Sequence, residues 1–387
     1  MKKIVILAIF IFFLVPIVAL AEPPPQENLV EQQISQLGID EIREYWEQIV
    51  TEYGGFLPEN QKGSFMDFVR GDKQFSLKEW MSGFVRYFLH ELIVNGKLLG
   101  TLILLTVFSM ILQNLQTAFE KNAVSKVANA IVYMVLLIIA INSFYIAINY
   151  AQSAISMMIN FMIALLPLLL ALLASIGSLT SVALFHPLII FLVNTSGLLI
   201  QHFVLPLLFL SALLSLVSTL TDHYKVSKLA NLLRNISVGT LGIFLTVFLG
   251  VISVQGAVTA VADGITIRTA KFVTGNFVPV VGRVFTDAAD TVMGASILLK
   301  NTVGIVGLAI LLLICAFPAI KVLTLALIFN LAAAVLQPLG GGAIINSLSI
   351  IGKAVIFVFA ALATVCLMFF LAITIMVAAG NLSLMMR

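Results

Sequence analysis

The sequence predicts an all-α, polytopic membrane protein of about nine spans, with a signal peptide and a small helical extracytoplasmic domain before the spans. Two features of composition predict the membrane class: 61% of the 387 residues are hydrophobic and only 10% are charged. A soluble globular protein is roughly a quarter charged, so this chain has too few polar residues to cover a water-facing surface. A third feature is the distribution of the charges, since long intervals of the chain carry none.

The N-terminus has the parts of an export signal. Lys2 and Lys3 precede an apolar run, and residues 19–21, Ala-Leu-Ala, have the small-x-small pattern of a signal peptidase site. We therefore predict a signal peptide over residues 1–21, with an uncleaved signal anchor as the alternative. In either case, the chain that follows is expected outside the cytoplasm.

Residues 22–91 are predicted to form a small, acidic, helical extracytoplasmic domain. They contain 13 acidic and 6 basic residues, whereas residues 92–387 contain 5 acidic and 13 basic residues. Apolar residues recur three to five positions apart up to Tyr53, and Gly54, Gly55 and Pro58 end this first helix. The acidic surface serves either as a docking surface or only as a solvated face that keeps the domain soluble.

A second helix of this domain is amphipathic and leads into the first span. It begins at Ser76, which forms the sequence pattern of a capping box with Glu79. Trp80 and Tyr87 on this helix suit a membrane interface. We therefore expect the helix to lie along the bilayer surface.

Charge-free intervals predict the spans in the multi-span domain, residues 92–387, because a charge at the bilayer centre costs several kcal/mol. A helix of about 20 residues crosses the hydrocarbon core. The 95 uncharged residues between Lys126 and Asp222 therefore hold four spans, with breaks predicted near Ala151, residues 175–181 and Gln201. Single spans are predicted in five further intervals, 98–119, 236–262, 301–320, 322–352 and 354–386.

The basic residues predict which connections between the spans lie in the cytoplasm. With residues 22–91 outside, nine spans place most cations of the connections in the cytoplasm, as the positive-inside rule requires. The predicted cytoplasmic cations are Lys121, Lys126, Lys225, Lys228, Arg234, Lys321 and Arg387. Lys353 is the exception, since it is predicted outside.

Two pairs of amide side chains lie within apolar runs. Asn194 and Gln201 are seven residues apart, as are Asn330 and Gln337, and each pair has a proline downstream. Seven residues place both members of a pair on one helix face. Related halves with broken helices would indicate a transporter whose site these amides line. The alternative is that the amides hold neighbouring helices together.

Residues 264–300 differ from a simple span, and we predict a re-entrant segment there. Pro279 ends a helix, and the glycines at 275 and 282 permit a chain reversal. Broken backbone at membrane depth is tolerated only against protein or a water-filled cavity, so the hairpin would lie beside a pathway. An amphipathic loop on the bilayer surface is the alternative. The candidate residues for a pathway or for assembly are Gly275, Asn276, Pro279, Gly282, Arg283, Asp287 and Asp290.

No pattern in the sequence indicates catalysis. The four histidines and two cysteines have no metal-ligand spacing. The glycines at 340–342 lack the following lysine and hydroxyl residue of a phosphate-binding loop, and they indicate a turn after Pro338. Asp287 lies four residues after Arg283, which favours an ion pair over a cation site. We therefore predict that the protein is not an enzyme and has no cofactor or metal.

One block of the sequence resembles a known family. The block from Thr269 to Leu308 is similar to the signature of the stage III sporulation protein AE family, and it reads TAKFVTGNFVPVVGRVFTDAADTVMGASILLKNTVGIVGL. The resemblance extends to the exported N-terminus, the acidic domain and the multi-span body. It implies a multi-pass protein of the mother-cell membrane around the forespore in endospore-forming bacteria.

The same resemblance implies a function and partners. The protein would belong to a transenvelope channel complex that links mother cell and forespore and is needed for late forespore sigma G activity. Its implied partners are other proteins of the same sporulation operon, including ring-forming proteins and a cytoplasmic ATPase, and a forespore membrane partner across the intermembrane space. The lipid bilayer is a further partner, and no nucleic acid is expected. The alternatives are an autonomous secondary transporter and a non-conducting membrane scaffold.

Overall fold

The computed structural model describes residues 39–59, 63, 65–70, 73, 76–118, 123–220, 225–277, 281–339 and 342–385. The predicted signal peptide, residues 1–21, lies outside this range. The described residues are helical, and they contain no strand. The all-α fold class is therefore confirmed.

Three helices precede the long helices of the bundle. They are α1 (Asp40–Tyr53), α2 (Phe65–Val69) and α3 (Leu77–Val94). The helix α1 ends at Gly54, as predicted, and α3 begins after Ser76. Ser76 has the extended backbone of an N-cap, but its side chain makes no capping hydrogen bond, so the predicted capping box is incomplete.

The helix α3 buries the aromatic side chains that were predicted to face a membrane interface. Trp80 is 6% exposed and Tyr87 is 3% exposed. Both belong to the protein core, whereas Met81 and Val85 on another face of α3 are exposed. The interfacial prediction for Trp80 and Tyr87 is therefore wrong, because α3 lies against the bundle rather than free on a bilayer.

The bundle is built from long helices. They are α4 (Gly96–Ala118), α5 (Ala123–Ser175), α6 (Leu179–Leu199), α7 (Leu205–Leu220), α8 (Ser227–Phe277), α9 (Val281–Leu336) and α10 (Ala343–Met385). One π-helical turn, Ile200–Val204, joins α6 to α7 without a break, and a short 3-10 helix, Gln337–Leu339, follows α9. Of the turn predicted at residues 340–342, residues 340 and 341 lie outside the described residues, so that turn stays a prediction.

The described residues contain six candidate spans, so the predicted count of nine is not confirmed. The spans are Lys78–Leu112, Ala130–Ser175, Leu179–Thr219, Ser227–Ala270, Val292–Leu336 and Ala343–Leu382. The break predicted near residues 175–181 is present as the turn between α5 and α6. The breaks predicted at Ala151 and Gln201 are absent, since continuous helix runs through both positions.

The lysines that separated predicted spans also lie within helices. Lys321 is inside α9 and Lys353 is inside α10. The described residues between 301 and 385 therefore form two long helices and one short 3-10 helix, where the charge-free intervals predicted three spans. Pro318 also lies inside α9, so neither the cation nor the proline ends this helix.

The helices α9 and α10 pack along each other at the centre of the bundle, and α10 also contacts α5, α6, α7 and α8. Small residues permit close approach, as is common between membrane helices. A Cβ atom at Gly304 of α9 would lie 2.6 Å from Val377 Cγ2 of α10, and one at Gly307 would lie 2.8 Å from Leu165 Cδ2 of α5.

The long helices exceed the thickness of a bilayer. The helix α5 has 53 residues and α9 has 56, which correspond to about 80 Å at about 1.5 Å per residue. A hydrocarbon core is only about 30 Å thick. A large part of each of these helices therefore lies outside the hydrocarbon core.

The six candidate spans predict on which side of the membrane each end of the chain lies. An even number of crossings places the C-terminus on the same side of the membrane as α1. Reporter fusions at Glu52 and after Arg387 should therefore both report the external compartment, while fusions after Lys126 and Arg234 should report the cytoplasm. Nine spans would instead place Arg387 in the cytoplasm.

The predicted re-entrant segment falls at the junction of α8 and α9. Gly275 and Asn276 lie in the last turn of α8, whereas Gly282, Arg283, Asp287 and Asp290 lie at the start of α9. Pro279 is outside the described residues, as are the side chains of residues 274–291. The re-entrant hairpin and its pathway residues stay predictions.

Candidate assembly site

An aromatic cluster holds the N-terminal helices on the bundle. At its centre is Phe317 of α9, which is 1% exposed. The ring of Tyr53, from α1, stacks on Phe317 with centroids 4.0 Å apart and an interplanar angle of 6°. From α3, Tyr87 and Phe84 approach the same ring edge-on, at 4.9 Å and 5.6 Å. We call these four residues the aromatic seat.

A cation lies beside the aromatic seat, one helical turn beyond Phe317. The ammonium of Lys321 is 5.9 Å from the ring centroid of Tyr53 and 5.1 Å from that of Tyr150 on α5. A cation at such a distance is attracted by the electron-rich ring faces. Burial raises the pKa of Tyr53 above its ordinary value, with Glu52 adding to the effect, so the ring remains neutral. Lys321 therefore connects α9, to which it belongs, with α1 and α5 through these two rings.

A polar crevice lies between α1 and the bundle. It consists of two adjoining cavities of about 530 Å³ and 680 Å³, which share Tyr45, Gln48 and Asn160 in their linings. The α1 side adds Glu41 and Glu44. The bundle side adds Gln152, Ser153, Ser156 and Met157 of α5, Ile163 and Ala164 of the same helix, and Gln201 and His202 of the π-helical turn.

The polar crevice has an acidic rim. Glu41 and Glu44 are exposed on α1. The neighbouring Arg43 is directed to other acids, with its guanidinium 2.9 Å from Asp40 and 3.5 Å from Glu47. Burial, and then the charges of Glu41 and Glu44, raise the pKa of Tyr45 above its ordinary value. The rim of the crevice on the α1 side therefore carries negative charge.

The π-helical turn contributes a predicted site residue to the crevice. Gln201 donates a hydrogen bond from Nε2 to Oγ of Ser156, at 3.0 Å. This bond joins the π-helical turn to α5 at the level of the crevice. A π-helical turn inside an α-helix is often found at functional sites.

The other predicted amides lie elsewhere. Asn194 is exposed and donates to the carbonyl of Ile190, and Asn330 donates to the carbonyl of Ala326. Asn330 also packs against Gly352 of α10. Gln337 is exposed in the 3-10 helix. Among the described residues, no hydrogen bond joins one of these four amides to another, and only Gln201 lines the polar crevice.

Two buried charges were missed by the sequence reasoning, which placed them at the ends of predicted spans. Asp263 of α8 is fully buried, and its carboxylate accepts hydrogen bonds from the backbone N–H of Thr180 at 2.8 Å and of Ser181 at 3.1 Å. Lys300 of α9 is also fully buried. It donates to the carbonyl of Val377 at 3.1 Å and to Oδ1 of Asn381 at 2.7 Å. In the sequence, each of these charges stands alone beside a long apolar run, and this isolation could have indicated that the charge is buried.

These features define a multi-pass, all-helical membrane protein with a small N-terminal helical segment docked against its bundle. The chain belongs to the stage III sporulation protein AE family, since the family model with that description matches residues 60–380. It is 64% identical over 361 residues to stage III sporulation protein AE of Bacillus subtilis (strain 168), and the alignment covers 93% of this chain and 90% of the relative. No solved structure matches the chain. The resemblance found in the sequence is therefore confirmed, and the chain is a sporulation membrane protein.

Proposed function

We propose that this protein is an integral-membrane component of the transenvelope channel complex that links mother cell and forespore and that late forespore sigma G activity requires. Membership of the family supports the proposal. The geometry that supports it best is the position of the aromatic seat along the bundle, because this position leaves long helices projecting beyond one bilayer. The proposed location is the mother-cell-derived membrane around the forespore.

We call the end of the bundle where α8 begins, beside Lys225, Lys228 and Arg234, the basic end. The length of α4 gives the distance from the aromatic seat to this basic end. It has 23 residues, or about 35 Å at about 1.5 Å per residue, and it joins α3 to the cationic connection before α5. This length is close to that of one span. With α1–α3 outside the membrane, the bilayer therefore lies between the aromatic seat and the basic end.

The other half of the bundle then extends away from the membrane. The helix α5 continues for 25 residues beyond Tyr150, from Ala151 to Ser175, and this segment is about 38 Å long at about 1.5 Å per residue. Polar residues of the crevice, Gln152, Ser153 and His202, lie at the level where the helices leave the bilayer. This projecting half points towards the partner membrane.

Apolar side chains remain exposed on the projecting half. Phe191 and Leu198 of α6 are 64% and 63% exposed, and Val254 of α8 is 65% exposed. Exposed apolar faces outside lipid are typical of protein interfaces. We propose that neighbouring subunits of the complex cover them, which would give the projecting helices a place in the wall of a channel.

Crosslinking in sporulating cells tests this proposal. Cys315 and Cys366 are first replaced, and a single cysteine is placed at Leu198 on the projecting half or, as a control, at Phe108 on α4, which is 50% exposed. Bifunctional thiol reagents of short reach should join the Leu198 position to copies of the chain or to other proteins of the operon, including ring-forming ones, more strongly than the Phe108 position. Equal, weak crosslinking at both positions would contradict the proposed interface.

Reconstitution separates the proposal from the two alternatives. A secondary transporter should produce substrate-dependent flux when the chain is reconstituted alone. A channel component should require its partners, including the ATPase and the forespore membrane protein. A scaffold should conduct neither alone nor when its partners are added.

The acidic rim of the crevice gives a specific prediction. Changing Glu41 and Glu44 to lysine should leave the protein inserted but reduce co-purification of partner proteins several-fold, because charge complementarity governs association more than it stabilises a fold. Changing Glu47 to lysine is the matched control, since Glu47 pairs with Arg43 rather than lining the crevice. Unchanged co-purification and unchanged sporulation in the Glu41/Glu44 variant would indicate a merely solvated face.

A further inference from the structure

We propose that α7, α8 and α10 enclose a binding site for a phosphate ester at the basic end of the bundle. A cavity of about 270 Å³ lies there, between the end of α7 and the start of α8. Its polar lining includes Ser218, Ser227, Asn231, Arg234 and Lys353. This site is distinct from the polar crevice, and it does not depend on the proposed channel function.

The cavity carries two positive charges and no negative charge among its described lining residues. Arg234 comes from α8 and Lys353 from α10. The guanidinium of Arg234 lies 5.5 Å above the ring centroid of Phe357, which holds it against the cavity wall. Neither cation forms an ion pair within the described part of the chain. Asp222, in the connection between α7 and α8, lies outside the described residues. Two cations that share one cavity favour an anionic ligand.

Polar groups and a helix dipole add to this preference. Serine and threonine side chains recur along one face of α7, and Ser211 and Ser215 already donate to the carbonyls of Ala230 and of Ser211. Ser218 and Asn231 supply further polar groups at the wall. Ser227 is the first residue of α8, so the cavity adjoins the positive end of that helix dipole, where phosphate groups bind readily.

The size and the apolar wall of the cavity define the class of ligand. Ligand cavities usually measure about 300–1,000 Å³, so this cavity suits a headgroup or a small phosphate ester rather than a nucleotide. Leu208, Ile350 and Phe357 form its apolar side, which favours a phosphate attached to an apolar group. Basic pockets between membrane helices on the cytoplasmic side bind anionic lipid headgroups. An anionic phospholipid and a soluble phosphate monoester share the recognised chemistry.

Stability measurements on the purified full chain distinguish these two sources. In nanodiscs, phosphatidylglycerol in place of phosphatidylcholine should raise the unfolding temperature if the ligand is a phospholipid. In phosphatidylcholine nanodiscs, glycerol 3-phosphate or inorganic phosphate should raise it if the ligand is soluble, since a ligand of the folded state shifts its stability. No shift from the lipid or from either soluble phosphate would overturn the proposal.

Variants of the lining test the position of the site. Arg234→Gln with Lys353→Gln should weaken the binding of the effective ligand by about tenfold or more, because charge-assisted hydrogen bonds to phosphate are lost. Lys225→Gln with Lys228→Gln is the control, since both residues are exposed at the same end and do not line the cavity. An equal loss in the control would indicate only general attraction to anions, and it would overturn the proposed site.

Two single changes keep the test valid if the double variant does not fold. Lys353 is exposed, so Lys353→Gln should fold and should still weaken binding. Ala354→Leu keeps both cations but fills part of the cavity, so it should also weaken binding. Full binding by both single variants would overturn the assignment of the cavity.

Discussion

Replacing Asp263 with alanine is expected to prevent the protein from accumulating in a folded form. Asp263 caps α6 from a neighbouring helix, because its carboxylate accepts the N–H groups of Thr180 and Ser181 at the start of α6 and the hydroxyl of Ser181 at 2.5 Å. Ser178, at the N-cap position, makes no capping bond with its own side chain. Alanine would leave two N–H groups without their acceptor, and each buried unsatisfied group costs about 1–3 kcal/mol.

Size-exclusion profiles of a C-terminal fluorescent fusion give the measurement. Asp263→Ala should lose the monodisperse peak, and Asp263→Asn should retain part of it because one amide oxygen still accepts. Asp40→Ala is the control, since Asp40 is exposed and pairs with Arg43 at the surface. A monodisperse peak of normal height for Asp263→Ala would show that the cap contributes little to stability.

The fold class could be predicted from the sequence, but the number of spans could not. The positions near Ala151 and Gln201 show why nine spans were predicted where the described residues contain six candidate spans. The predicted breaks at Ala151 and Gln201 divided the charge-free run into helices of about 20 residues, and the polar Gln152 and His202 lie beside these breaks. In the structure they lie on one side of continuous helices and face the polar crevice. The periodicity of an apolar helix is the same inside a bilayer and beyond it, so the sequence does not mark where such a helix leaves the membrane.

The charged residues within helices illustrate the same limit. Lys321 was treated as the end of a span, but the rings of Tyr53 and Tyr150 accommodate its charge within α9. Lys300 was placed at the end of the predicted re-entrant segment, 264–300, but Asn381 and a carbonyl of α10 bind it in the core. These partners are distant in the sequence, and pairwise contacts of this kind are not visible in a hydropathy pattern. The block at residues 269–308 indicated the family because that resemblance depends on residue identity rather than on three-dimensional contacts.

Replacing Phe317 with alanine is expected to release α1–α3 from the bundle. Phe317 is almost completely buried, and it is the ring that Tyr53, Tyr87 and Phe84 all contact. Removal of a buried phenylalanine side chain costs about 3–5 kcal/mol, and here the loss falls on the contact between the N-terminal helices and α9. Release would open the polar crevice, because α1 forms one of its walls.

A crosslink between α1 and α5 reports this release directly. The rings of Tyr45 and Phe161 have centroids 5.4 Å apart, so cysteines at these two positions, in a chain without Cys315 and Cys366, should be joined in high yield by a short bifunctional thiol reagent. Phe317→Ala should reduce that yield strongly, whereas Phe191→Ala, at a position 64% exposed, should not. Tyr53→Ala removes the same stacked pair from the α1 side. It replaces Phe317→Ala in this experiment if the Phe317→Ala protein does not accumulate in the membrane. Undiminished crosslinking in both variants of the aromatic seat would mean that other contacts hold α1, and the aromatic seat would then lose its role in positioning the acidic rim.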